Sequence, residues 1–307
     1  MFIKSRNLFL FLSLILLSGC GGGIFDPKGV IAVAQKNLII TSIVIMLIVI
    51  IPVLLLTFYT AYKYREGNKN AEYSPEWDHN LKLELIWWGI PIMIIIALSI
   101  ITWKTSHSLD PYKEIHIENE QPIKIQVVSL NWKWLFIYPE QGIATINYIK
   151  APKNVPINFE LTSDAPMNAF WIPQIAGMIY TMPGMQTKLH IVVNENGIYE
   201  GMSSNYSGDG FAGMTFKLDA VSKEDFAKWV KEAQNSNKIL NTQEYLKLVK
   251  FSTNNPVVIY KNADAKLFND IMMKYMAPQK SNLLIDVMAE SKKTVIFDKD
   301  NKKEINN

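Results

Sequence analysis

The chain is poor in the residues that hold metal ions. Of 307 residues only one is Cys (Cys20) and four are His (His79, His107, His116 and His190), scattered with no ligand-like spacing. Zinc, haem and blue-copper signatures cannot be assembled from that inventory. There is no internal repeat and no phosphate-binding Gly loop. A formal charge of +3 gives no reason to expect a nucleic-acid partner, and the 49% hydrophobic fraction averages two unlike halves. The first hundred residues read as membrane; the rest reads as a water-facing protein.

Lys4 and Arg6 precede an apolar run from Leu8 to Leu17, which ends in Leu17-Ser18-Gly19-Cys20. The run is too short to span a bilayer and closes on small residues, so residues 1–19 read as a secretory signal. The Leu-Ser-Gly-Cys ending resembles the lipobox of bacterial lipoproteins, which implies acylation of Cys20 and a Gly-rich tether over residues 20–37. Leu38 to Tyr59 carries no charge and is long enough, at ~1.5 Å per residue, to cross a ~30 Å hydrocarbon core. Pro52 inside it is expected to bend it. Leu85 to Trp103 forms a second span, with Trp87, Trp88 and Trp103 as interfacial anchors. Residues 38–104 are therefore expected to form a transmembrane hairpin. The connecting loop holds Lys63, Arg65, Lys69 and Lys82, which places it in the cytoplasm and everything after Lys104 outside.

From about residue 113 the pattern changes to alternating strands. Val155 to Thr162 and Met214 to Asp219 alternate with period two, and Ile123 to Val127, Trp132 to Tyr138, Ile143 to Ile149 and Lys188 to Val193 supply more. This spacing predicts an all-β sandwich or barrel over residues 113–220. A small helical region follows over 221–277, with Ser222 as a capping residue three before Asp225 and an apolar face of Phe226, Trp229, Val230 and Ala233. Two further helices are expected around Thr242 and Asp264. The tail, 278–307, reads as disordered.

The stretch from Ser163 to Phe216 resembles the copper-bearing loop region of respiratory oxidase subunit II with its ligands missing. In the copper-bearing relatives a His precedes a small-aromatic-x-x-Pro run, and a later loop reads Cys-x-Glu-x-Cys-x-x-x-His-x-x-Met. Here Asn168 takes the first His position, with Phe170 and Pro173 kept. Met202, Ser204, Tyr206, Gly210 and Gly213 take the Cys, Glu, Cys, His and Met positions, and Met214 stands one residue out of register. A dinuclear copper centre needs bridging thiolates and imidazoles, and this loop offers neither. Further strings, YKYREGNKNAEYSPEW, WKTSHSL, NWKWLFIYPEQGIAT, GMQTKLH and NYSGDGFAGM, extend the resemblance over roughly residues 26–276.

The chain is thus similar to subunit II of the cytochrome bo-type ubiquinol oxidases. That resemblance implies a membrane-anchored α+β protein: a two-helix hairpin, a cupredoxin-like exported domain and a C-terminal helical region. It implies a bacterial inner-membrane location, with membrane lipid at the N-terminus and the exported domain in the periplasm. It also implies that quinol oxidation and oxygen reduction occur on the haems and copper of subunit I, the principal partner beside further oxidase subunits. No cofactor and no catalytic residue are expected on this chain, and no docking of cytochrome c.

Glu84-Leu85-Ile86-Trp87 with Pro91 is similar to the opening of the second span in the family, where the Glu lies at the mouth of a proton channel of subunit I. Glu84 is a candidate for that role; the plain alternative is a helix-end carboxylate favoured by the helix dipole. Met167, Met178, Met182, Met185, Met202 and Met214 crowd the ligand-free region and read as fillers of its core rather than as a thioether site. Trp132 and Trp134 read as packing against subunit I. His190 alternates with Leu189 and Ile191 and is expected on the polar side of its strand. Three other readings stand beside this one: a menaquinol oxidase subunit of the same superfamily, a free-standing membrane-anchored lipoprotein serving as a binding or assembly module, and an electron-accepting copper subunit.

Overall fold

A computed structural model describes residues 22–68, 76, 78–264 and 266–276. The signal segment, Cys20 and the tail expected over 278–307 lie outside the described residues. Two long helices come first, α1 (Val30–Lys63) and α2 (Leu81–Ser108). Both run past the apolar spans at each end. Asn80 makes the start of α2 with its side-chain oxygen, which accepts from the Leu83 N–H. Both helices are apolar all round, and side chains such as Leu55 and Trp88 stand open, which fits surfaces that lipid or partner helices cover. Hydroxyls that sit in the spans, Thr41 and Thr57 among them, bond to carbonyls one turn back and so need no water.

The first turn of α1 belongs to the globular part. Lys28 N–H donates to Gln174 O at 2.7 Å and Ala32 N–H to Ile175 O at 3.2 Å. Gly29 bridges to Val193, and a Cβ there would stand 2.4 Å from Ile175 O, so only glycine lets the backbones approach. Ala32 is buried. The helix is thereby seated on the domain that follows the hairpin.

That domain is a sandwich of eleven strands numbered in chain order. One sheet runs β11 (Val258–Lys261), β3 (Ile143–Ile146), β2 (Lys133–Tyr138), β1 (Ile123–Leu130), β5 (Pro156–Ser163), β8 (Thr187–Val192). The other runs β4 (Tyr148–Pro152), β10 (Thr215–Val221), β9 (Gly197–Ser203), β6 (Asn168–Trp171), β7 (Ile179–Thr181). β1 pairs parallel with β5 and β4 with β10, while the hairpins β1–β2 and β9–β10 are antiparallel. The fold is the expected cupredoxin-like sandwich behind a two-helix hairpin. Between the sheets Phe170 stacks on Phe216 at 4.9 Å, and Trp134 meets both edge-on.

The strand expected over 143–149 is two strands, because Asn147 turns the chain at φ 54° and passes it from one sheet to the other. β6, β7, β9 and β11 escaped the sequence pattern; they are short or rich in Gly and Met. Helix α3 (Lys223–Gln234) starts where expected: Ser222 Oγ accepts from the Asp225 N–H and donates to its carboxylate. Its Phe226, Trp229 and Ala233 join the central core. α4 (Thr242–Val249) and α5 (Leu267–Met276) flank β11, so the C-terminal region contributes a strand as well as helices. This region covers the outer face of the first sheet. Leu240, Tyr245, Tyr260, Phe268 and Ile271 close over Leu130, Leu135, Ile137 and Ile146, giving a second core. The three central strands of that sheet are therefore buried on both faces.

Candidate functional site

The ligand-free region holds a buried network of neutral polar groups with Asn168 at its centre. Asn168 opens β6, beside the ends of β1 and β9. Its Nδ2 donates to Ser129 Oγ at 2.9 Å and to Pro166 O at 2.8 Å, and its Oδ1 accepts from Ser203 Oγ at 3.1 Å. Ser163 Oγ lies 3.2 Å from Ser129 Oγ, and Thr181 Oγ1 donates to the Asn168 carbonyl. Both amide protons and the amide oxygen are therefore in use.

The other five positions are spread out. Met202 is half-buried and pairs across β9–β10 with Thr215. Ser204 is exposed; its N–H donates to Ala169 O at 3.0 Å, and its hydroxyl reaches Met178 Sδ at 3.5 Å. Tyr206 stands in the open with its ring against Phe211. Gly210 is glycine for a steric reason, and Gly213 lies against a side chain of the C-terminal region. A Cβ on Gly210 would lie 2.3 Å from the Trp132 ring, and one on Gly213 would lie 2.4 Å from Asn254 Oδ1. Trp132 is fixed there by φ 59° and by its Nε1–H donating to Ser207 O at 3.1 Å. The donor set does not fit copper: a hydrogen-bonded amide, a thioether in a strand, two exposed hydroxyls and two glycines with no donor side chain, one of them closed by the Trp132 ring. Among the described residues no three His, Cys, Asp or Glu gather into a group that could hold a metal.

Four residues before Asn168, a charged cluster adjoins the neutral one. Asp164 is fully buried, and Lys274 Nζ stands 2.6 Å from its Oδ1. The Tyr275 hydroxyl donates to the same oxygen, and the Tyr245 hydroxyl to Oδ2. Burial, reinforced by the carboxylate, raises the pKa of both tyrosines, so they remain donors. Sequence reasoning missed this cluster. Its donors lie 81 to 111 residues from Asp164, and no local pattern connects them to it.

Comparison with known proteins bears on the whole chain. Residues 234–279 match the family described as COX Aromatic Rich Motif. The chain is 52% identical over 265 residues to cytochrome bo(3) ubiquinol oxidase subunit 2 of Pseudomonas putida, covering 86% of this chain and 84% of that one. It is 49% identical over 264 residues to ubiquinol oxidase subunit 2 of Acetobacter aceti, covering 86% of each. The chain belongs to the ubiquinol oxidase subunit 2 family. Among solved structures it is similar to the periplasmic domain of subunit II of cytochrome oxidase of Bradyrhizobium japonicum, at 22% identity over 36% of this chain and 91% of that one, TM-score 0.35.

In this member of the subunit 2 family, Glu84 lies in the first turn of α2, and His79 Nδ1 stands 2.6 Å from its Oε1. The carboxylate is half-buried and its imidazole partner is exposed. Sequence reasoning singled out Glu84 but not His79, which precedes the helix by two residues and folds back onto it.

Two expectations need correction. Trp134 does not face a partner: it is wholly buried against Phe170 and Phe216, and Trp132 packs on Phe251 within the chain. Of the methionines only Met214 is a core filler; Met167, Met178 and Met185 are exposed, because they sit on the turns between strands rather than between the sheets. His190 takes the polar face of its strand, opposite Leu189 and Ile191 and beside Asn158, and is only 5% exposed. The linker after α2 runs along the edge of β8, with the His190 N–H bonded to Pro111 O, and its Glu114 lies near the ring.

Proposed function

We propose that the chain is the non-catalytic subunit II of a proton-pumping terminal quinol oxidase, which takes ubiquinol and oxygen to ubiquinone and water. The haems and copper of that reaction are assigned to subunit I, and the present chain supplies a scaffold and a docking surface. Copper on a subunit II serves to take single electrons from a soluble donor; a quinol delivers its electrons from within the membrane and needs no such relay. The observation that carries this reading is Trp132 lying where any side chain at position 210 would have to stand. A ring held there by its own hydrogen bond is part of a finished core, which is what a loop relieved of metal binding requires. Asn168, Met202, Ser204, Tyr206, Gly210 and Gly213 are on this reading the vacated ligand positions.

The same reading places the chain in the bacterial inner membrane, with Cys20 acylated after removal of residues 1–19, the loop between α1 and α2 in the cytoplasm and the sandwich in the periplasm. Glu84 is then at the cytoplasmic surface. The His79–Glu84 pair supports a proton-collecting role there, since an exposed imidazole can take a proton from water and pass it to a carboxylate in contact with it.

The test is quinol-driven oxygen uptake by the affinity-purified complex, with metal and haem content measured on the same sample. Ubiquinol oxidation with haem and a single copper per complex is expected. Recovery of the chain alone, or activity only with reduced cytochrome c and two additional coppers, overturns the reading.

A further inference from the structure

The C-terminal segment grips the sandwich at two places, and both lie at the loops around Asn168. At the first, Lys274, Tyr275 and Tyr245 converge on the buried carboxylate of Asp164. Asp164 follows β5 and begins the loop that leads to Asn168, and its own N–H is bonded to Ser129 O at 2.9 Å. At the second, the chain after α4 lies along the loop between β9 and β10. Lys133 Nζ donates to the carbonyls of Leu248 and Lys250, both at 2.8 Å, and is only 1% exposed. Asn131 donates to Val249 O at 3.1 Å and Asn147 to Asn255 O at 3.0 Å. Phe251 packs 5.4 Å from Trp132, the ring that closes over Gly210, and Asn254 stands against Gly213.

We propose that residues 242–264 and 266–276 form a clasp that cross-links the loops 164–168 and 204–214. The clasp does by charge and hydrogen bonds what a shared metal ion does for loops that carry ligands. The analogy with the metal rests on reading these loops as vacated copper loops; the clasp itself does not. A layer that merely covered the outer face of the first sheet would need apolar contacts alone, which Leu240, Phe268 and Ile271 supply. It would not need an aspartate and a lysine out of water, each unfavourable unless paired and fully hydrogen-bonded. Both charged anchors, Asp164 and Lys133, sit on the sandwich side where the two loops begin or lean. Each is met by groups of the same C-terminal segment. Loop residues lose conformational freedom when ordered, and a second attachment through one rigid segment lets each loop share the order of the other.

Amide hydrogen exchange on the purified oxidase complex tests the clasp. Asp164→Asn removes the shared charge and keeps the shape. We expect about tenfold faster exchange in 204–214 as well as in 164–168, although residue 164 makes its bonds to α4, α5 and β1 and not to the farther loop. Lys133→Met is the reciprocal test, with faster exchange expected in 164–168. Changes confined to the loop next to each substitution, or no change at all, overturn the proposal. If the Asp164→Asn chain fails to assemble, Tyr275→Phe removes one donor and leaves the ion pair. It is expected to show the same two-loop pattern at about threefold, and a one-loop pattern overturns the clasp. The metal content of the wild-type complex is scored separately: copper at these loops would end the vacated-site reading, whereas the exchange pattern alone decides the clasp.

Discussion

Two buried polar clusters lie four residues apart in this sandwich and are built on opposite principles. The one around Asn168 is neutral, and its side chains come from strand ends of the sandwich: Ser129, Ser163 and Ser203. The one around Asp164 is charged, and its partners Tyr245, Lys274 and Tyr275 all come from the C-terminal region. Neutral hydrogen bonds exchange protein partners for water at small net gain, so such a cluster mainly fills space without leaving polar atoms unpaired. A charge removed from water is tolerated only when every partner is in place. The first cluster therefore completes one unit, and the second ties two units together.

Asp164→Ala should break the comparison most sharply. It leaves the Lys274 ammonium and two tyrosine hydroxyls without their common acceptor, and removing one partner of a buried pair costs about 3–5 kcal/mol. Urea denaturation of the full chain in detergent should show that loss. A change below about 1 kcal/mol would mean that Lys274 simply turns to water. Asn168→Ala removes the hub of the neutral cluster and leaves Ser129 and Ser203 hydroxyls short of a partner, for a loss of about 1–3 kcal/mol. A cost equal to that of Asp164→Ala would erase the distinction between the clusters.

The hairpin was legible from the sequence because hydrophobic length alone dictates it. The sandwich was legible where strands alternate, as at β5 and β10, and not where they are brief, as at β7. Ser222 announced α3 through a local bond to Asp225. The positions singled out as lacking copper ligands were read from residue types in sequence, but what surrounds them was not. Trp132 reaches Gly210 across the fold, and Asn254 reaches Gly213 from the C-terminal region. The Asp164 cluster had no signature, since a lone acid before Ala-Pro reads as a turn residue and its three donors are set by tertiary packing. For His190 the face of the strand was legible and its burial was not. Alternation says which face of a strand a residue takes, not whether another segment covers that face.

His190 supplies the smallest and most selective test, because it is a buried polar group with half its bonding satisfied. Its Nδ1–H donates to Asn158 Oδ1 at 2.8 Å, the only sense possible with a carbonyl oxygen as acceptor. Nε2 is buried with no partner among the described residues. Burial lowers the pKa of the ring from its ordinary 6.5; Lys188 and His116 add to that, and Glu114 opposes it. The unfolded chain thus takes up a proton at higher pH than the folded one. Stability from this group is complete above pH 6.5 and is lost as the pH falls from 6.5 through the lower folded value. The wild-type chain should lose melting temperature between pH 7 and about pH 5, and His190→Gln, which does not titrate, should lose less. Parallel curves for the two proteins would mean that Glu114 offsets the burial of the ring.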